Sequence, residues 1–108
     1  DLYVVLHVQP HPVFQRDGAN LLLEYPIHMS QAALGTDVDV PTLNGHVSMK
    51  IPPGTQSGTV FRVRQKGLPD VHSGGRPGDL LVRVTVETPT NLNSAQRRLL
   101  EELRHAHL

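Results

Sequence analysis

Hydrophobic and polar residues alternate with a period of two along most of the chain. Leu21, Leu23, Tyr25 and Ile27 take every second position, with Glu24 and His28 in the other phase. Val38 and Val40 alternate with Asp37 and Asp39, and Val47, Met49 and Ile51 with His46, Ser48 and Lys50. Phe61 and Val63 alternate with Arg62 and Arg64. Leu80, Val82, Val84 and Val86 alternate with Leu81, Arg83, Thr85 and Glu87. Successive side chains of a strand point to opposite faces, so this pattern predicts half-buried antiparallel strands with one dry and one wet face. With Leu2–Val8 added, about six strands are expected.

The segments between the runs carry turn chemistry. Asn44-Gly45 lies between two alternating runs and predicts a type I′ hairpin, because both residues tolerate positive φ. Pro52-Pro53-Gly54 ends a strand, and Ser73-Gly74-Gly75-Arg76-Pro77-Gly78 predicts a flexible loop before the last strand. Ser30–Gly35 predicts one or two helical turns, with Ser30 as cap and Gly35 as stop.

The period changes at the end of the chain. Asn93 with Gln96 three residues on forms a capping-box pattern. Leu99, Leu103 and Ala106 then share one helical face with Leu100 beside them, and Arg97, Arg98, Glu101, Glu102 and Arg104 are polar. A helix of about 13 residues is marginal alone in water, so this one must pack on its own sandwich or on another chain.

Composition narrows the function classes. With 108 residues the chain fits one core of ordinary size. It has no Cys, which excludes a disulfide framework, a thiolate nucleophile and a Cys-ligated zinc within this chain. Ten basic and ten acidic residues cancel, which disfavours a general nucleic-acid or anionic-membrane binder. With two Phe, two Tyr and no Trp, the interior must be filled by Val, Leu and Ile. No apolar run approaches the roughly 20 residues of a bilayer span. The chain opens Asp1-Leu2-Tyr3 without a Met, which predicts a natural start further upstream.

No catalytic constellation stands out. The seven His are scattered; His7 and His11 fall on a predicted strand and a Pro-rich turn, where a spacing of four does not bring ligands together. Asp37 and Asp39 share a strand face, which predicts solvation rather than acid–base work. Arg62, Arg64 and Lys66, with Arg83 near them, form a basic stripe that suits either an acidic ligand or a guarded, solvated sheet face. The four aromatics are not interleaved with it, as base stacking would require.

One internal similarity bears on domain organisation. Asp1-Leu2-Tyr3-Val4-Val5-Leu6-His7-Val8 matches Asp79-Leu80-Leu81-Val82-Arg83-Val84-Thr85-Val86 at four of eight positions. A repeat would make the first strand the end of a preceding copy, with Gln9-Pro10-His11-Pro12 as a stiff linker.

Several segments then coincide with one family. In order they are Pro10–Gly18, Gln31-Ala32-Ala33-Leu34-Gly35, Val40–Gly45, Ile51-Pro52-Pro53-Gly54-Thr55-Gln56-Ser57-Gly58, Phe61–Gly67, Gly78-Asp79-Leu80-Leu81-Val82 and Val86-Glu87-Thr88-Pro89. Together they resemble the C-terminal region of DnaJ, the bacterial heat-shock cochaperone family, over essentially the whole chain. The resemblance implies an antiparallel β-sandwich with one short internal helix and a C-terminal helix. It divides the chain into residues 1–12 (last strand of a preceding repeat plus linker), 13–90 (second C-terminal sandwich domain) and 91–108 (dimerisation helix).

It also implies a non-enzymatic role: holding unfolded or apolar polypeptide clients in the cytoplasm for handover to a DnaK-type ATP-driven chaperone. By analogy with the family's groove, Leu23, Tyr25, Val38, Val40 and Thr42 would line a client site along 21–27 and 36–42, although core burial predicts the same alternation. Leu99, Leu100 and Leu103 resemble the homodimerising face. The family's ATPase-stimulating domain and its zinc-binding Cys repeats are not in this sequence, so no cofactor is expected in this fragment, and any zinc belongs to another part of a longer protein. The alternative reading is a purely architectural spacer and dimeriser, with clients held by the first sandwich domain. Neither nucleic acid nor membrane is an expected partner.

Overall fold

The computed structural model describes residues 14–43, 45–70 and 74–108. The expected strand Leu2–Val8, the linker at 9–12 and Asn44 lie outside them. The elements are β1 (Phe14–Asp17), β2 (Asn20–Ile27), α1 (Met29–Leu34), β3 (Thr36–Thr42), β4 (Gly45–Ile51), β5 (Val60–Val63), β6 (Pro69–Asp70), β7 (Arg76–Pro77), β8 (Leu80–Val86) and α2 (Ser94–His105).

The larger sheet has the order β1-β2-β8-β5, and β3 pairs with β4 in a second sheet. Leu21, Leu23 and Ile27 of β2, Leu80, Val82 and Val84 of β8, Val38 and Val40 of β3, Ile51 of β4 and Ala32 of α1 form one buried cluster. The two sheets therefore share a core, and each alternating run supplies its dry face to it. Burying each Leu, Ile or Val of this set favours the fold by about 1.5–3 kcal/mol relative to exposure.

The fold is mainly β, with the short internal helix and C-terminal helix expected. The larger sheet is mixed rather than purely antiparallel, because β2 and β8 run parallel, Leu23 opposite Val82 and Tyr25 opposite Val84. A parallel pair needs a long crossover, which here contains α1 and strands β3 to β7. Alternation reports which residues are dry, and it does not encode strand direction.

Local chemistry sets the helix ends. Gly35, at φ +86°, stops α1, and its N–H donates to Gln31 O at 2.9 Å. The N-cap of α1 is His28 and not Ser30; its backbone N–H donates to Gln31 Oε1 at 2.8 Å. At α2 the expected capping box is present: Gln96 N–H donates to Asn93 Oδ1 at 2.8 Å, and Asn93 N–H to Gln96 Oε1 at 2.9 Å. Thr42 stands opposite Gly45 at the end of the β3–β4 ladder, and the expected Asn44-Gly45 turn includes a residue outside the described ones.

A tight crossing ties the chain together beside β8. Leu68 N–H donates to Ala19 O, Gly78 N–H to Leu68 O and Gly67 N–H to Gly78 O, at 2.8–2.9 Å. A Cβ on Gly67 or Gly78 would lie 2.5 or 2.3 Å from Ala19 O, so only Gly fits at either position. Asp79 completes the crossing: its N–H donates to Asn20 Oδ1 at 2.8 Å, and its carboxylate accepts from Gln65 N–H at 3.0 Å and from Arg62.

Candidate functional site

The residues expected to line a client groove fall into two groups. Leu23 and Val40 are fully buried and Val38 nearly so, all within the shared core. This revises the expected groove, because a side chain with no exposed surface offers none to a ligand in this conformation. Tyr25 and Thr42 are half-buried. The Tyr25 hydroxyl donates to Asp39 O in a long hydrogen bond of 3.5 Å, bridging the larger sheet to β3.

That bridge shows which way β3 points. The Asp39 carbonyl accepts from Tyr25 of the other sheet, so Asp39 and the residues in phase with it belong to the pairs that do not exchange backbone hydrogen bonds with β4. Thr36, Val38 and Val40, in phase with Thr42, therefore bond to β4, while Asp37, Asp39 and Pro41 turn their backbone groups to the free edge. Pro41 has no N–H. The Asp39 carbonyl is met by Tyr25, and the Asp37 carbonyl by Thr36 Oγ1 at 3.4 Å. The β3 edge is thus short of open positions for an added strand.

The second candidate surface is the apolar face of α2. Leu99 is 60% and Leu103 40% exposed, and no residue of α2 is buried. Beside this face lies a cleft of about 850 Å³. Leu99, Leu100 and Leu103 form one wall, Ile27 and Met29 at the β2–α1 junction the other, and Leu92 lies in the connecting segment. Sequence reasoning found the Leu face and missed Ile27 and Met29 as its counterpart; period-two alternation marks Ile27 as core, and nothing in it places α2 nearby.

The basic stripe is divided. Arg62 is paired with Asp79, and Arg83 donates to Glu24 Oε2 at 3.3 Å across β8 and β2. The amide of Gln65 foremost, and then the Arg62 guanidinium, hold the Asp79 carboxyl below its ordinary value. Among the described residues no group of three or more His, Asp or Glu is arranged to hold a metal ion, and no helix is long and apolar enough to cross a membrane.

Comparison with known proteins agrees with this architecture. The profile of the DnaJ C terminal domain family matches residues 1–89. A chaperone protein DnaJ of Roseiflexus castenholzii (strain DSM 13941 / HLO8) is 58% identical over 103 residues, covering 95% of this chain and 28% of that protein. A chaperone protein DnaJ of Roseiflexus sp. (strain RS-1) is 56% identical over 103 residues, with the same coverage. The chain thus spans under a third of the length of these relatives. With the family profile matching most of its length, and a two-sheet core ending in an amphipathic helix, the chain belongs to the DnaJ C-terminal domain family.

Proposed function

We propose that this chain is the second sandwich domain and terminal helix of a DnaJ-type cochaperone, and that its own contribution is to join two copies through α2. In the longer protein this pairing would bring two sets of client-holding surfaces together, raising avidity without new contacts. The partners of that protein would be unfolded polypeptides and a cytoplasmic DnaK-type ATP-driven chaperone.

The observation that carries this reading is the bare apolar face of α2 beside an apolar cleft of its own chain. A helix of 12 residues is marginal in water, so a cover for Leu99 and Leu103 would stabilise helix and dimer together. Covering what remains exposed of each Leu contributes about 0.5–2 kcal/mol, against an association cost of at least about 4 kcal/mol. The balance favours a dimer that needs Met29 and Leu92 as well as the Leu face.

A client groove along β2 and β3 has in its favour the half-exposed Tyr25 ring. Against it stand the burial of Leu23 and Val40 and the engaged β3 edge. Sedimentation velocity over a rising concentration series tests the proposal: a shift from one-chain to two-chain mass supports it, and a one-chain species up to millimolar concentration sinks it.

A further inference from the structure

The two edges of the β3–β4 sheet are not equivalent. The phase that turns Asp37, Asp39 and Pro41 outward on β3 turns His46, Ser48 and Lys50 outward on β4. These three residues each keep an N–H and a carbonyl, with no Pro among them. Among the described residues no strand lies beyond β4, and no hydrogen bond outside the β3–β4 ladder engages their backbone groups. One edge of the sheet is therefore interrupted by a proline and two occupied carbonyls, and the other, among the described residues, presents three donor–acceptor pairs in a row.

The side chains of β4 state what an added strand must carry. Val47 and Met49 are half-buried on the core side, while His46, Ser48 and Lys50 are exposed on the other. An incoming strand meets apolar surface at alternate positions and Lys50 with His46 between them. The strand that β4 already accepts has that composition: Asp37 stands opposite Lys50, Val38 opposite Met49 and Val40 opposite Val47. A second copy of β4 fits less well. Antiparallel pairing centred on Ser48 would set His46 against Lys50 of the other copy, with no acidic side chain opposite either. Lys on an edge also guards against indiscriminate pairing.

We propose that the free edge of β4 accepts an extended polypeptide segment alternating acidic and small apolar residues, as a third strand of the β3–β4 sheet. The backbone ladder supplies affinity, and Lys50, Val47 and Met49 select the segment. The site is distinct from the β2–β3 groove and independent of α2 self-association.

The test is an NMR titration of the isotope-labelled chain with a capped heptapeptide alternating Glu and Val, and with its counterpart alternating Lys and Val. The site predicts saturable amide shifts and slowed solvent exchange at His46, Ser48 and Lys50 with the Glu peptide, and little with the Lys peptide. Lys50→Glu is expected to weaken binding about two- to fivefold, the range of one cross-strand charge pair. Ser48→Pro removes the central outward donor while leaving the β3 ladder intact, and is expected to abolish it. Should that variant fail to fold, Lys50→Glu at its exposed position still decides. Shifts absent from these three amides, shifts confined to β3 or to the α2 cleft, or equal binding of both peptides would overturn the proposal. So would exchange protection at these amides that rises with chain concentration in the absence of peptide, which would assign the edge to a second copy.

Discussion

Ile27, the last residue of β2, and Leu103, near the end of α2, line one cleft, although nearly the whole domain separates them in sequence. Ile27 is buried by the sandwich core, whereas Leu103 remains 40% exposed. Among the described residues, nothing covers the apolar surface that α2 presents beside the cleft. Substituting Leu103 by Asp should weaken self-association by about 1 kcal/mol or more per chain, from the exposed part of the side chain that the partner would cover. The melting temperature of the dilute chain should stay close to that of the parent, because Leu103 is outside the core. Sedimentation and thermal melts on the same samples check both halves. Unchanged association, or a large loss of melting temperature, would place Leu103 in a different role.

The capping box at Asn93 and Gln96 should matter to the same assembly. Asn93→Ala removes the acceptor for Gln96 N–H, and such a loss costs about 0.5–2 kcal/mol of helix stability. Far-ultraviolet circular dichroism should show reduced helicity, and sedimentation a weaker dimer. Full helicity in the variant would mean that packing, and not the cap, holds α2.

Core and groove make opposite predictions at β2 and β3. Leu23→Ala, at a site with no exposure, should cost about 2–5 kcal/mol in denaturant unfolding. Tyr25→Ala, at a half-buried site, should cost less. A mild effect at Leu23 would return it to the groove that the family resemblance suggests.

The Gly67–Gly78 crossing should be intolerant of any side chain. Gly78→Ala would place a methyl 2.3 Å from Ala19 O, so one of two hydrogen-bonded backbone segments must move. The expected loss is about 1–3 kcal/mol, in the range of other overpacked sites. Gly18→Ala, where nothing lies within 4 Å but φ is +64°, is a control limited to backbone strain.

Asp79 should make the fold acid-sensitive with a defined sign. Its folded-state value is lowered from 3.8, so the unfolded chain binds more protons in that range. The stabilisation is present above the unfolded value and is lost as pH falls through the folded one. Asp79→Asn should flatten stability against pH below about 4 in urea melts across that range. An unchanged slope would show that other carboxylates carry the acid transition.

Much of this was legible in the sequence, and the exceptions have physical causes. The alternating runs around Leu21, Val38, Val47, Phe61 and Leu80 mark strands because burial on one face imposes the period. Asn93 and Gln96 mark the start of α2 because capping is local chemistry. β1, Phe14–Asp17, was not legible: only Phe14 of its four residues is apolar, and it forms by pairing with β2. β6 and β7 hide in a Pro- and Gly-rich stretch because the Ala19–Gly67–Gly78 crossing holds them. The parallel β2–β8 pair and the interrupted β3 edge depend on contacts between distant segments. For the same reason alternation could not separate a core from a groove at Leu23 and Val40.

The pairing of two copies through α2 is the central claim, and an isotope-filtered NMR experiment on a mixture of labelled and unlabelled chains tests it most directly. The account predicts intermolecular contacts from the Leu99 and Leu103 methyls of one chain to Ile27 or Met29, or to the α2 Leu face, of the other. Contacts found only within one chain, in a protein that stays monomeric up to millimolar concentration, would contradict it.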